Sequence, residues 1–395
     1  MNFSVLIRIL ESENFIEEFN VNMLIPLIYA IALFVYITRT IFFLVGAAKE
    51  KNRKIPHLAL TEKPFVSVII PARNEENNIE SCIASLTQNS YPTDKFEIVA
   101  VDDRSVDGTA EILAVLALAH KNLKVVTISD KTQNKNLRGK PGALQAGINV
   151  SSGELILLTD ADCTVSPDWI ETMTSVYSDD EVGLVASFTN IRGNKLFDKV
   201  QAVEWIYMHT MASSGFGLKI LLGCFGNNLS VRKTDLDKVG GYDNIEFSVT
   251  EDLALLREVR GLGKKTRYIC STKTLATTHA CKNMKEYLQQ KKRWSVGGLD
   301  LGWNAVIFVL SSVTMWLGLI VSLALGDYSV FAAILGIRIF SDYLLTVISV
   351  KKLELTKLKR WVLPSIFFFM IMELVAPFLV INKTIVWKDQ VFERK

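Results

Sequence analysis

Leu155-Ile156-Leu157-Leu158-Thr159-Asp160-Ala161-Asp162 is a short apolar run that ends in two carboxylates one residue apart. The run reads as a buried strand. Side chains alternate faces along an extended backbone, so Asp160 and Asp162 project to the same side. Two hard oxygen donors at a strand end make a seat for a divalent cation that carries phosphates. Taken alone, the motif also fits a solvated loop with two chance acids, and the surrounding chain has to decide between them.

Working upstream, residues 65–70 read as a strand stopped by Pro71, and Glu75 and Glu76 suit the start of a helix of about four turns ending near Gln88. Residues 96–101 form a second strand running into Asp102 and Asp103. Asp107-Gly108-Thr109 then turns the chain into a helix over 112–119, and residues 123–128 form a third strand. Gly139-Lys140-Pro141-Gly142 opens a further helix. Strands alternating with helices imply an α/β fold around a mostly parallel, doubly wound, Rossmann-like sheet. Ligands of such sheets sit at the carboxyl ends of the strands, where Glu75, Asp102, Asp103, Asp160 and Asp162 fall. Acids gathered at one edge repel one another unless something compensates them, and a metal-bound nucleotide does so. Lys140, beside a glycine turn and a helix start, is placed to meet a phosphate, the alternative being a solvated surface lysine. The chain has no Gly-x-x-x-x-Gly-Lys-Ser/Thr loop and no Gly-x-Gly-x-x-Gly after its first strand, which argues against a P-loop NTPase and a dinucleotide oxidoreductase.

Downstream, Thr250-Glu251-Asp252-Leu253 opens a helix that ends near Gly261. A plain N-cap with acids favouring the helix dipole is the alternative to a catalytic role. Gln290-Lys291-Lys292-Arg293-Trp294 closes this part of the chain, where a basic flank with an interfacial tryptophan is equally a common membrane feature.

The 395 residues suffice for one large or two ordinary domains, and a net charge of +3 is too small to suggest a nucleic-acid partner. Hydrophobic residues make up 49% and mean hydropathy is +0.26, high for a soluble protein. The five scattered cysteines read as reduced thiols. Residues 23–48 form a retained membrane anchor, and 303–383 a region of about three further spans, built on 306–325, 328–350 and 361–381. The organisation expected is an extracytoplasmic segment 1–22, the anchor, a cytosolic domain 64–300, the membrane region and a tail 384–395. Orientation follows from the bases: acids precede the anchor, and Lys49, Lys51, Arg53 and Lys54 follow it. Lys351, Lys352, Lys357, Lys359 and Arg360 agree in keeping the 64–300 domain on the cytoplasmic side. Lys388, Arg394 and Lys395 fit less well, because four spans leave them outside. Glu373 and Pro377 interrupt the last span.

Together these pieces resemble the membrane-bound branch of the inverting family-2 glycosyltransferases that carries a Gln-x-x-Arg-Trp motif, over roughly residues 64 to 300. The resemblance rests on residues 71–76, Asp102-Asp103, Lys140, Asp160-Ala161-Asp162, Thr250-Glu251-Asp252 and Gln290 to Trp294, in that order. It implies a GT-A fold, a nucleotide-sugar donor, most often a UDP-sugar, and Mg2+ or Mn2+. It further implies that Ala72 and Glu75 line the uridine and ribose pocket, Asp103 faces the base, Asp160 lies beside the nucleotide and Asp162 holds the metal. Asp252 would be the general base, with Glu251 beside it on the acceptor side. Gln290, Arg293 and Trp294 would cover the diphosphate, Trp294 also closing the acceptor end. His279 stands where some GT-A enzymes place a metal-completing histidine, and an ordinary surface histidine is the reading preferred.

Relatives with these motifs glycosylate a lipid once, as ceramide glucosyltransferases do, or polymerise chitin-, cellulose-, hyaluronan- or poly-N-acetylglucosamine-type chains. The single N-terminal anchor and three C-terminal spans resemble the lipid-glycosylating type more. Polyprenyl-phosphate sugar synthases and a non-catalytic nucleotide-sugar binder rank lower. The resemblance thus implies an integral membrane enzyme (plasma or inner membrane if bacterial) with a membrane-associated lipid or glycan acceptor. Arg338 and Asp342, one helical turn apart inside a span, mark an acceptor head-group contact, a pairing with Glu373 or mutual neutralisation. Residues 216–222 form either an interfacial segment guiding a lipid or plain core.

Overall fold

The computed structural model describes residues 13–57, 62–129, 137, 139–246, 248–381, 384–387 and 390–393. The first twelve residues of the expected 1–22 segment, and Lys388, Arg394 and Lys395 of the tail, lie outside the described residues.

The apolar runs fold as the helices Glu13–Asn52, Val306–Ala324, Tyr328–Lys352 and Val362–Leu379. By length and composition the stretches containing them are able to cross a membrane. Their outward faces carry large exposed apolar side chains, among them Phe34, Ile41, Val309, Ile320, Phe340, Phe367 and Phe378.

The domain between them is built on a seven-stranded sheet. In chain order the strands are β1 (Val66–Ala72), β2 (Phe96–Asp102), β3 (Leu123–Thr127), β4 (Leu155–Thr159), β5 (Thr164–Val165), β6 (Val182–Ser187), β7 (Thr189–Arg192), β8 (Asn228–Arg232), β9 (Lys265–Ile269) and β10 (Ala276–His279). The large sheet runs β3-β2-β1-β4-β8-β6-β9, and a small one runs β5-β10-β7. Only β8 opposes its neighbours in the large sheet, so that sheet is mostly parallel. Alternation along β1 fills two cores. Val66, Val68 and Ile70 face Ile83, Leu86 and Trp169, while Ile69 faces Leu144 and Ile148 on the other side.

Three local expectations change. β1 does not stop at Pro71 but continues to Ala72, paired with Asp102 of β2. The β4 ladder has already ended at Ile69 and Leu158, so the strand is one-sided there and tolerates a missing N–H. The first helix is Ile79–Thr87, nine residues rather than four turns. The preceding backbone is held in a turn, with the N–H groups of Glu75 and Glu76 donating to Thr109 and Asp107. Residues 216–222 are core only at their ends, since Phe216 and Leu222 are buried and Phe216 packs edge-on against Tyr268, while Lys219 between them is exposed.

Among the elements not anticipated is the 23-residue helix Leu196–Leu218. It lies between the sheet and the apolar helices and is buried on most sides, so it shows no amphipathic stripe. It packs closely along the first helix, because a Cβ at Gly217 would come within 2.0 Å of the Gly46 carbonyl oxygen. At the end of that first helix, buried Glu50 accepts from the backbone N–H of Tyr268 at 3.1 Å and pairs with Arg267 and Arg53.

Arg338 and Asp342 pair with each other at 2.8 Å, and Arg338 also reaches Glu373 at 2.7 Å. Asp342 further accepts from Tyr36 at 2.8 Å and Tyr207 at 3.0 Å, and pairs with Arg39. Both expected pairings are therefore present. Two arginines and two acids neutralise one another where four helices meet, which is how buried charges are tolerated.

Candidate active site

The carboxyl ends of β1, β2 and β4 open onto one cleft. Ala72, Glu75, Asp103, Lys140, Asp160, Asp162, Glu251, Asp252, Gln290, Arg293 and Trp294 all line it. Every residue that the resemblance assigned to the site thus meets the others in space, although they span more than half the chain, whereas Asp102 does not line the cleft and accepts from the Ser105 N–H instead. Trp205, Phe225, Gly226, Asn227, Thr278 and His279 complete the wall.

Two lobes of acid face each other across Lys140, whose Nζ lies 2.7 Å from Asp160 Oδ1 and 3.1 Å from Glu251 Oε1. Burial opposes the ammonium charge, but Asp160 and Glu251 more than offset it, so Lys140 holds its proton more tightly than a free lysine. Lys140 is no solvated surface lysine.

Asp252 stands in the first turn of the Glu251–Gly261 helix. Its Oδ2 accepts from the Gly226 N–H at 2.7 Å and its Oδ1 from the Leu253 N–H at 2.7 Å. Burial, then the neighbouring Glu251 charge, raise its pKa to about 7. Thr250 makes no side-chain cap, and its hydroxyl lies 3.1 Å from that of Ser248.

Asp162 is half-buried, with Oδ2 accepting from Thr278 at 3.1 Å. Burial and the charges of Asp160 and Glu75 push its pKa up. Among the described residues no three His, Cys, Asp or Glu side chains gather as a complete metal site. The donor set nonetheless fits a divalent ion of the kind that takes one or two carboxylates from protein and the rest from substrate phosphates. Neighbouring half-buried carboxylates repelling one another are what such an ion relieves. His279 ends β10 beside Thr278 and is exposed on the cleft wall.

At the opposite end the wall becomes aromatic. Trp205 and Trp294 pack edge-on at 5.2 Å, and Phe225 lies 6.0 Å from Trp294. Trp294, Arg293 and Gln290 come from the helix Met284–Gly298. That helix is fixed to Leu196–Leu218 by Lys291 and Tyr287, which reach the Glu204 carboxylate at 2.7 Å and 2.8 Å. Gln290 Oε1 and Trp205 Nε1 are buried without a hydrogen-bond partner among the described residues. Trp205, Phe225 and Thr278 escaped the sequence reading because nothing in their local pattern marks them. Only the fold brings them to the cleft.

The sequence profile of glycosyl transferase family 21 matches residues 24–395, nearly the whole chain. The chain belongs to glycosyl transferase family 21. The motif resemblance carried the number 2, and the matched family is 21. Among the relatives of this family 21 chain is glycosyltransferase AglE of Haloferax volcanii, 34% identical over 184 residues, which are 46% of this chain and 57% of AglE. Another is the beta-monoglucosyldiacylglycerol synthase of a Nostoc species, 32% identical over 200 residues, 49% of this chain and 40% of the synthase. The chain spans about half the length of these curated relatives. In fold it is similar to the mannosyltransferase PcManGT of Pyrobaculum calidifontis, solved with GDP-Man and Mn2+, with TM-score 0.57 and 18% identity over 82% of this chain and 98% of that one. The family 21 chain therefore has a GT-A-like domain, joined to four helices long and apolar enough to cross a membrane.

Proposed function

We propose that this protein is a membrane-embedded inverting glycosyltransferase that moves one sugar from a nucleotide-sugar, in first place a UDP-sugar, to a lipid acceptor. The observation that carries the reading is the cleft itself. A half-buried carboxylate with pKa near 7, a doubly paired lysine and a pair of strand-end acids face an aromatic wall beside the apolar helices. Family membership and the name of the Nostoc relative support it, and the GDP-Man and Mn2+ held by the archaeal fold neighbour support a metal-dependent nucleotide-sugar.

Ala72, Glu75 and Asp103 form the pocket for the nucleoside, with acids accepting from base N–H and ribose hydroxyls. Lys140, Gln290 and Arg293 surround the diphosphate. Mg2+ or Mn2+, held by Asp162 with Asp160 beside it, would neutralise charge on the departing diphosphate. Asp252 takes the proton of the acceptor hydroxyl as that oxygen attacks the anomeric carbon in line, which inverts the centre. A base with pKa near the working pH is well matched to this task. The two backbone N–H groups fix the orientation of its carboxylate. Trp294 and Trp205, packed edge-on, offer the incoming acceptor an aromatic wall. The domain faces the cytoplasm, in keeping with the basic residues that follow the first helix.

The test is incubation of the detergent-purified full chain with UDP-sugars, GDP-mannose and a lipid extract, read by mass spectrometry. A lipid heavier by one hexose or N-acetylhexosamine is the expected product. A ladder of masses would replace the lipid reading with polymer synthesis, and no nucleotide release from any donor would remove the transferase reading.

A further inference from the structure

The last apolar helix, Val362–Leu379, meets the length and composition requirements of a span, but its surroundings do not allow it to cross. It starts just after the turn Thr356–Trp361, which packs against the Leu196–Leu218 helix. Phe368 lies against Phe197 and Tyr287, and Phe369 stacks on Tyr207, all side chains of the two helices beneath the sheet. Beyond Leu379 the chain forms a hairpin of Thr384–Trp387 and Gln390–Glu393. Its first strand packs on the Met284–Gly298 helix, the one that carries Gln290, Arg293 and Trp294, and Ile385 is buried. That helix also exposes Lys285 and Glu286 to water, so it lies outside the hydrocarbon.

Chain reach decides the matter. An 18-residue helix is about 27 Å long at 1.5 Å per residue. Standing across the bilayer, it would leave Leu379 near the face opposite the catalytic domain. From Leu379 to Thr384 the chain extends at most about 18 Å, too little to return to the Met284–Gly298 helix. The helix is also not flat on the surface, because Glu373 pairs with Arg338, ten residues into the Tyr328–Lys352 helix. Both constraints are met by a helix that dips obliquely into one leaflet and leaves by the same side.

We infer that Val362–Leu379 is a re-entrant helix seated in the catalytic-side leaflet, and that the chain crosses the membrane three times rather than four. Its partner is the acyl region of that leaflet, met by the exposed row Leu363, Phe367, Ile371, Leu374 and Phe378. This row continues the lipid-facing surfaces of the neighbouring helices.

The inference does not depend on the reaction and is tested without it. An epitope is appended after Lys395 of the full-length chain. Single cysteines Lys51→Cys and Leu325→Cys serve as side markers, with the unsubstituted chain as the labelling blank. In sealed vesicles of defined orientation, three crossings make the epitope open to antibody and protease from the face that labels Lys51→Cys, and closed from the face that labels Leu325→Cys. An epitope exposed together with Leu325→Cys would overturn the inference.

Discussion

Asp252 accepts a hydrogen bond from the backbone N–H of Gly226 at 2.7 Å, so the proposed base is aimed by a loop 26 residues earlier in the chain. Asp252→Asn keeps the shape and the partner but removes the ability to take a proton. Turnover is expected to fall 10²–10⁴-fold, the usual contribution of a positioned base. Donor binding, followed by calorimetry, should stay within about threefold of wild type. Near-normal turnover would assign the proton transfer elsewhere.

The raised pKa of Asp252 gives activity a direction with pH. A carboxyl displaced upward is protonated, and idle as a base, below its pKa of about 7. The value of kcat/KM should therefore climb as pH rises through about 7 and level off above it. Glu251 is the largest charge holding that value up, after burial. Glu251→Gln should shift the rising limb to lower pH, and a limb that stays in place would show that another group titrates there.

Lys140 joins both acidic lobes, and its removal takes away the ammonium nearest Asp160. In Lys140→Ala the donor KM is expected to rise roughly 10–100-fold, the scale of one or two charge-assisted contacts. Nucleotide inhibition constants would check this, with nucleoside alone much less affected than nucleoside diphosphate.

Chelation should abolish transfer, and Mg2+ or Mn2+ should restore it. Asp162→Asn should raise the metal concentration needed for half-maximal activity by at least about tenfold, since one of few protein donors is lost. Full activity in excess chelator would exclude a divalent ion.

The pair Lys291–Glu204 is buried and mounts the Met284–Gly298 helix on Leu196–Leu218. Breaking such a pair from one side costs about 3–5 kcal/mol. Lys291→Met should lower the denaturation midpoint measurably, and the double variant Lys291→Met, Glu204→Leu should regain part of the loss. Additive losses would show that the two residues act independently.

Residues that carry a strand-end signature were legible from sequence. β4 lies where its apolar run predicts, and the acids after β1, β2 and β4 share a cleft because parallel strands deliver their carboxyl ends to one edge. The Leu196–Leu218 helix was not legible. It is packed on several sides, and Asp198, Lys199 and Glu204 interrupt its apolar residues, so neither a stripe nor a span shows. Nor was the packing role of Asn227 and Asn228, which nothing in the local sequence marks. Asn227 accepts from Thr189 at 3.0 Å, and Asn228 bridges Trp169, Phe188 and Thr274 inside the domain. Such roles depend on partners distant in sequence, and local composition carries no trace of them.

Glu50 ends the first helix locked to the backbone of β9, and Gly46 lies hard against Gly217 one turn before it. The joint between that helix and the sheet is therefore rigid, with no hinge at which the domain could lift away from the bilayer. For the membrane-bound acceptor proposed above, such a joint would hold the reacting centre at one height above the lipid head groups. A growing glycan would soon carry its reactive end past that height, whereas the first hydroxyl of a membrane-bound acceptor stays within it. Under the proposed function, such a joint would act as a ruler that favours the transfer of one sugar.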